Sequence, residues 1–172
     1  SKIHNKYFFK MKIFPFINNK VEKKKALFSS VVPSVFFIIK KSLKKSFDIH
    51  CKELKQTHYS KIIKVNVNKN QIGSDRIANA IGAYHKHKCD CIVLDFGTAT
   101  TFDVINKGVY RGGIIAPGVD ISLNTLINKA DQIPSFTLKK ISNVIGNNTI
   151  SALRSGFFWG YIGLIENILL LI

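Results

Sequence analysis

The chain has 172 residues, of which 46% are hydrophobic and 21% charged, so it can build a core and is not a disordered protein. Its net charge of +16 is concentrated early: residues 1–70 hold 17 lysines and no arginine against three acidic residues, whereas all 11 glycines lie from Gly73 onward. Aromatic residues do not alternate with the lysines as a base-stacking surface requires. We therefore expect bulk attraction to polyanions and no specific nucleic-acid site.

The cysteines and the apolar segments indicate a protein of a reducing compartment that does not cross a membrane. Cys51, Cys89 and Cys91 are odd in number, and the Cys-x-Cys pair lacks a second pair at zinc spacing, which predicts buried free thiols. Lysines interrupt every apolar run near the start, so no signal peptide is predicted. The apolar run at 156–172 is interrupted by a glutamate and an asparagine, which predicts a buried helix. We expect a cytoplasmic protein.

The first 70 residues contain short apolar segments whose spacing predicts local structure. Runs at 7–9 and 13–17 fit either strands or helices. Three further elements are predicted: a strand at 26–33 ended by Pro33, a helix from Ser34 through Lys45, and a strand at 62–67.

A helix is predicted to follow Gly73 and to end near His87. Ser74 is the predicted N-cap, and Asp75 falls in the first turn, where the helix dipole favours a negative charge. Helix-end electrostatics is sufficient to explain Asp75 when this segment is considered alone. The predicted buried face consists of Ile77, Ala80, Ile81 and Tyr84.

The stretch from Leu94 to Asp103 combines a buried strand with polar residues at its end. The strand is predicted to end at Asp95, where a charge can leave the core, and Gly97 lets a ligand approach the backbone closely. Hydroxyls that could bind an anion belong to Thr98, Thr100 and Thr101. Asp95 could hold a cation that bridges to this anion. The alternative is a glycine turn and hairpin with a solvated aspartate.

The remaining residues alternate between predicted strands and helices, which is typical of a layered α/β domain. We expect strands at 100–105 and 109–115 joined by a turn at 106–108, and a helix from 119 to 130. A last helix opens near Thr149, whose hydroxyl in the first turn marks either an anion or hydroxyl site or simply a capped helix. Glycines at 156, 160 and 163 should let another backbone pack closely.

Five motifs, taken together and in this order, resemble the type III pantothenate kinase family. They are Ser29-Ser30-Val31-Val32-Pro33, Gly73-Ser74-Asp75-Arg76, Val93–Asp103, Gly112–Gly118, and Ile145–Thr149 with Ser155-Gly156 and Gly160-Tyr161 after it. The tandem of Asp95–Asp103 and Gly112–Gly118 is highly specific, and the resemblance covers about residues 26–168.

The resemblance implies the acetate and sugar kinase/Hsp70/actin fold, a ribonuclease H-like α/β fold with two related domains around a cleft, in a homodimer. It implies an incomplete first domain at 1–88, with 1–25 divergent, and most of a second domain at 89–172, truncated at its C-terminus. The implied activity is ATP-dependent phosphorylation of pantothenate to 4'-phosphopantothenate in coenzyme A biosynthesis. The implied cations are magnesium and a monovalent ion, potassium or ammonium.

The resemblance also assigns roles to residues that match the family's motifs. Asp75 resembles the general base, and it also belongs with Gly73, Ser74, Arg76 and Thr149 to the residues that resemble pantothenate contacts. Thr98 resembles an ATP phosphate contact, and Asp95 resembles the monovalent-cation ligand. These residue types suit the chemistry, because a carboxylate can align the acceptor hydroxyl and an arginine fork can hold the pantothenate carboxylate.

The chain departs from the family's pattern at both ends and at internal positions, among them a loose version of the family's Thr-Ala-x-Leu-Pro motif at 129–134. The family opens with an Asp-x-Gly-Asn-Thr turn at the ATP phosphates, whereas no glycine precedes Gly73 here. The family also continues past the position of Ile172 with a Gly-rich segment near the nucleotide, which is missing from this sequence. Ser74 replaces the usual alanine, and Asn66 stands where an aromatic pantothenate contact often lies. We therefore expect a truncated kinase with reduced or no activity.

Two other interpretations stay open beside the enzyme. One is a non-catalytic ligand-binding or regulatory relative of the same fold, and the other is a basic nucleic-acid-binding protein that uses residues 1–70. The retained carboxylates and glycine turns favour the enzyme.

Overall fold

The structure is a computed structural model that describes residues 25–30, 33–130, 133–134 and 136–172. The segments at 7–9 and 13–17 and Val31-Val32 of the first motif lie outside the described residues. In the part described, the elements are β1 (Lys25–Phe28), α1 (Pro33–Phe47), β2 (His50–Glu53), β3 (Lys64–Val65), α2 (Ser74–His87), β4 (Cys91–Phe96), β5 (Ala99–Asn106), β6 (Val109–Pro117), α3 (Val119–Lys129) and α4 (Thr149–Leu171). The mixed α/β class predicted from the sequence is confirmed.

The strands form a two-stranded sheet of β1 and β2 and a four-stranded sheet in the order β3-β6-β5-β4. The chain divides into two compact units. The first contains the residues up to Val93 together with Asp103–Gly112, and the second contains Leu94–Phe102 together with Gly113–Ile172. A domain boundary after residue 88 stays a prediction.

The beginning of the first unit is a β1–α1–β2 segment with its own small core. Strands β1 and β2 are parallel, with Ala26 opposite Cys51, so the chain needs the crossover that α1 supplies. Buried residues of this core are Phe36, Leu43, Ile49 and Cys51. The predicted strand at 26–33 is shorter than expected, because regular pairing ends at Phe28.

The larger core of the first unit lies under α2. Ile77 and Ala80, one helical turn apart, are each 1% exposed and pack with Ile63, Ile105 and Tyr110. The strand predicted at 62–67 is reduced to Lys64–Val65, which pairs in parallel with β6. The reason is local: the backbone N–H groups of Ile62 and Ile63 donate to the Tyr59 carbonyl of a preceding 3-10 turn.

The turn between β5 and β6 is the one that the sequence predicts. Lys107 and Gly108 both have positive φ, at 50° and 71°, as a type I′ hairpin turn requires. This turn sets the register in which Asp103 and Tyr110 lie on neighbouring strands.

The second unit places Phe102, Ala116 and Leu123 in its core and ends with α4. A Cβ on Gly156, Gly160 or Gly163 would meet nothing within 4 Å, so the predicted close backbone packing at these glycines is wrong for the described residues. The prediction of a buried helix at 156–172 is wrong for the end of α4, because Leu170 and Leu171 are 85% and 78% exposed. No helix in the described part of the chain is long and apolar enough to span a membrane.

The three cysteines are free, as predicted, but they are not all buried. Cys51 is buried, Cys91 is partly buried and Cys89 is exposed. Cys89 lies in the short connection between α2 and β4, outside any regular element, and its side chain is exposed.

Candidate active site

The first turn of α2 carries four of the predicted site residues. Gly73 is the N-cap, with extended backbone, and its carbonyl accepts the first helical hydrogen bond from Ile77 at 3.3 Å. Asp75 is exposed, and its Oδ1 accepts the backbone N–H of Arg76 at 2.9 Å. One carboxylate oxygen is therefore oriented by the helix end, while the side chain remains accessible to a ligand.

Ser74 is not the N-cap that the sequence predicts. It is the first helical residue and only 3% exposed, and its hydroxyl donates to Oε1 of Glu53 at the end of β2. The other oxygen of Glu53 accepts the backbone N–H of Lys55 at 3.0 Å. Ser74 thus connects the start of α2 to the end of β2, a tertiary contact that the local sequence does not reveal.

Arg76 forms a buried ion pair with a residue to which the sequence assigned no role. Its Nε donates to Asp103 Oδ1 at 2.8 Å, and its Nη2 lies 2.6 Å from the same oxygen. Tyr110 Oη also donates to this oxygen, at 2.6 Å. The side chains of Arg76 and Asp103 are 15% and 0% exposed. One buried carboxylate oxygen of Asp103 therefore contacts both the guanidinium of Arg76 and the hydroxyl of Tyr110.

The pKa values of this cluster follow from its burial and charges. Burial acts to lower the pKa of Arg76, but the hydrogen bond and the negative charge of Asp103 outweigh it and raise the pKa above its usual value. Burial, followed by the hydrogen bond to Asp103, raises the pKa of Tyr110 well above its usual value. Arg76 remains a cation and Tyr110 a neutral donor at physiological pH.

Asp95 and Thr98 lie on the hairpin between β4 and β5. Asp95 is partly buried near the end of β4, and Thr98 is exposed in the two-residue turn with Gly97. The Thr98 carbonyl accepts the backbone N–H of Gly118 at 3.1 Å. Of the three threonines that could offer hydroxyls, Thr100 is 0% exposed and the hydroxyl of Thr101 is also buried, so that expectation is wrong for both.

Thr149 is the first residue of α4 and is exposed, as the prediction of a helix start requires. The helix is capped by Asn148, whose side chain accepts the Ser151 N–H at 2.9 Å while the Ser151 hydroxyl accepts the Asn148 N–H at 3.1 Å. This capping box fixes the backbone at Thr149, and the Thr149 side chain is exposed to solvent.

Two further features bear on ligands. Asn66 lines an open pocket of about 480 Å³ together with Lys64, Lys69 and Arg111, which makes the pocket basic. Within the described residues, no group of three or more His, Cys, Asp or Glu side chains could bind a metal ion.

The site residues therefore fall into three local groups. Gly73 to Arg76 belong to the first compact unit, whereas the other two groups, Asp95 with Thr98 and Thr149 alone, belong to the second.

The sequence motifs did not identify Asp103, Tyr110 and Glu53 as residues that support the site. A carboxylate between Phe102 and Val104 in a strand was the available clue, because a charge in an apolar strand needs a partner.

Comparison with known proteins gives consistent results. A protein of Pelagibacter ubique named type III pantothenate kinase is 59% identical over 148 residues, covering 86% of this chain and 59% of the relative. One from a Ruegeria species with the same name is 40% identical, covering 83% of this chain and 55% of the relative. The chain thus spans less than two thirds of the length of these curated relatives.

A solved structure supports the fold. A conserved Baf family protein from Campylobacter jejuni, whose name proposes a transcriptional activator, matches with a TM-score of 0.56 and 21% identity. The match covers 92% of this chain and 68% of that one. The family model described as type III pantothenate kinase matches residues 7–170. The chain therefore belongs to the type III pantothenate kinase family.

Proposed function

We propose that the whole protein is a kinase of the acetate and sugar kinase/Hsp70/actin fold that transfers the γ-phosphoryl group of ATP to the hydroxyl of pantothenate, giving 4'-phosphopantothenate for coenzyme A biosynthesis. The observation that carries the proposal is the first turn of α2, where Asp75 is exposed between two residues whose side chains are anchored in the protein. Family membership supports the substrate and the reaction class.

Asp75 is the general base in this proposal. Its carboxylate accepts the proton of the pantothenate hydroxyl as that oxygen attacks phosphorus. Oδ1 already accepts the Arg76 N–H, so the second oxygen is the natural acceptor for the substrate proton. Positioning of this kind, rather than covalent chemistry, accounts for most catalysis of phosphoryl transfer.

Arg76, Gly73, Ser74 and Thr149 are the proposed pantothenate-binding residues. A guanidinium can bind the carboxylate of pantothenate through two parallel N–H groups. The backbone of Gly73 and Ser74 is fixed by the N-cap and by the Glu53 contact, and the Thr149 hydroxyl is exposed at the capped start of α4.

Thr98 and Asp95 are the proposed contacts of ATP and of a monovalent cation. The residues present fit these groups. Thr98 is exposed in a tight turn, where it is accessible to a phosphate. As metal ligands, Asp95 and Thr98 offer only oxygen atoms, which suit potassium and magnesium better than soft metals. Bound cations would neutralise negative charge on the phosphates. In this part of the chain, the Thr98 hydroxyl would hold a phosphate oxygen and Asp95 would hold the monovalent ion.

The proposal also includes a homodimer, which rests on the family resemblance, and a cytoplasmic location, which rests on the free cysteines and the interrupted apolar runs of the sequence. It does not require a nucleic-acid site, and the lysine-rich beginning of the chain remains outside the proposed chemistry.

The experiment compares Asp75→Asn with a matched control, Asp120→Asn. Both aspartates are exposed second residues of helices whose N-caps are glycines, Gly73 and Gly118, so both changes remove the same helix-dipole interaction. We expect Asp75→Asn to lower phosphoryl transfer to pantothenate by about 10²- to 10⁴-fold while pantothenate binding persists. Asp120→Asn should leave the turnover unchanged.

The result separates the possible functions. If both variants lose turnover equally, Asp75 is a helix-end charge and not the base. If the unaltered chain binds pantothenate in calorimetry but transfers no phosphoryl group from ATP, the non-catalytic ligand-binding interpretation replaces the enzyme for this chain.

A further inference from the structure

We propose that Asp103, supported by Tyr110, is a positioning residue that fixes the Arg76 guanidinium so that one defined end of it binds the carboxylate of the substrate. The inference rests on the proposed function, because it concerns the anionic group of pantothenate. It adds Asp103 of β5 and Tyr110 of β6 to the residues that are proposed to act on the substrate.

The geometry of the cluster determines which donors of Arg76 are available. A guanidinium is planar, and its five N–H groups point in fixed directions. The side of the plane that bears Nε and Nη2 faces Asp103 Oδ1, at 2.8 and 2.6 Å. The opposite end of the plane, which bears Nη1, is therefore the part of the guanidinium that is left to hold the carboxylate of a ligand.

The remaining hydrogen-bonding capacity agrees with this assignment. Nη2 of Arg76 is buried, and within the described residues it has no partner with the geometry of a hydrogen bond, although it lies in ion-pair distance of Asp103. Oδ2 of Asp103 is likewise buried without a hydrogen-bond partner within the described residues. Nη2 is therefore committed to the ion pair with Asp103, and a ligand carboxylate would approach the guanidinium from the Nη1 side.

Tyr110 restricts Asp103 in turn. Its hydroxyl donates to the same Oδ1 at 2.6 Å, and its side chain is 1% exposed in the core under α2. Because Oδ1 receives both donors, the carboxylate cannot rotate without losing both. The hydrogen bonds that Tyr110 and Arg76 donate to Asp103 therefore hold the guanidinium in a fixed position relative to the β-sheet.

A buried ion pair of this kind is weak evidence for stability, because hydrophobic replacements are often as stable. Asp103 also reduces the net positive charge that a ligand carboxylate would meet. Positioning and charge therefore predict opposite results for the loss of Asp103: weaker binding of the ligand carboxylate if positioning dominates, and stronger binding if charge dominates.

The test measures the affinity of the full chain for two ligands by titration calorimetry. Pantothenate carries the carboxylate, and pantothenol carries an alcohol in its place. We expect Asp103→Asn to weaken pantothenate binding by about tenfold or more while pantothenol binding changes little. Tyr110→Phe alters no charge and should lower the pantothenate-to-pantothenol preference by about two- to tenfold, the value of one hydrogen bond.

The control is Asp90→Asn. Asp90 is an exposed carboxylate that accepts from Asn106 and from the Lys107 backbone at 2.8 and 2.6 Å, and it does not contact Arg76. This variant loses comparable hydrogen bonds and should retain the preference for pantothenate. If Asp103→Asn does not fold, Tyr110→Phe decides the matter alone.

The outcomes distinguish the inference from the function on which it depends. If the unaltered chain binds neither ligand, the proposed function fails. If it binds pantothenate but the preference over pantothenol is unchanged or increased in Asp103→Asn and unchanged in Tyr110→Phe, the positioning role is overturned while pantothenate binding stands. Equal weakening of both ligands would also overturn it, since that indicates a general structural role.

Discussion

Replacing Gly118 by alanine tests how the turn that carries Thr98 is held in place. The Gly118 N–H donates to the Thr98 carbonyl at 3.1 Å, so two backbones are in direct contact. A Cβ on Gly118 would lie 2.6 Å from the Thr98 carbonyl oxygen and closer still to that of Gly97. The φ and ψ of Gly118, −72° and 153°, are open to alanine, so the collision alone opposes the substitution.

The size of the effect follows from these distances. Carbon and oxygen atoms in ordinary contact lie roughly 3.5 Å apart, so the two backbones must separate by about 1 Å. Overpacking of this kind costs about 1–3 kcal/mol, and alanine recovers about 0.4–1 kcal/mol by restricting the unfolded chain. The net loss of unfolding free energy is therefore about 0–2.6 kcal/mol, with a central value of about 1.3 kcal/mol. For a chain of this length, the central value corresponds to a fall in Tm of about 3–5 °C.

Thermal and urea unfolding of Gly118→Ala and of the control Gly160→Ala measure this loss. Gly160 lies inside α4, and a Cβ there meets nothing within 4 Å, so alanine should raise the unfolding free energy by about 0.5–1 kcal/mol. Binding of ATP, measured on the same samples, should weaken in Gly118→Ala only, since that change displaces the backbone of Thr98. Equal stability of the two variants would refute the packing argument.

Two further predictions concern titratable groups. Because the pKa of Tyr110 is raised by burial and then by the hydrogen bond to Asp103, its contribution to stability is present below about pH 10 and is lost as pH rises toward the folded-state pKa. Urea unfolding against pH should show this loss in the parent and not in Tyr110→Phe; identical profiles would contradict it. Alkylation followed by mass spectrometry should modify exposed Cys89 first, and Cys51 slowly, because Cys51 is buried and burial raises its pKa despite Lys40. Faster reaction at Cys51 would disprove this order.

Much of the fold could be predicted from the sequence because local rules decide it. The helix from Ser74 to His87, the turn at Lys107 and Gly108, and the start of the last helix at Thr149 all depend on glycines, caps and side-chain periodicity within a few residues. The strand at 62–67 was overestimated, because a neighbouring 3-10 turn takes the backbone N–H groups that its pattern would have given to a sheet.

The site was predicted less completely because its supporting contacts are distant in sequence. Ser74 and Glu53 are 21 residues apart, and Arg76 and Asp103 are 27 apart. Ser74 has the residue type of an N-cap, so local reasoning assigned its hydroxyl to the helix, whereas tertiary structure gives it to Glu53. Asp103 lies in a strand whose neighbours are apolar, and its partners became identifiable only when β5 was placed beside β6 and under α2.

These two distant contacts explain how Asp75 can be both exposed and well positioned. Helix ends commonly fray, so an exposed carboxylate in a first turn would ordinarily be a poor candidate for a general base. Successive helical residues point about 100° apart, so Ser74 and Arg76 leave the helix on either side of Asp75. The first is held by Glu53 and the second by Asp103, two residues that are themselves bonded to other elements. The turn is thereby fixed on both sides, and the residue between them can face solvent without the turn that carries it becoming mobile.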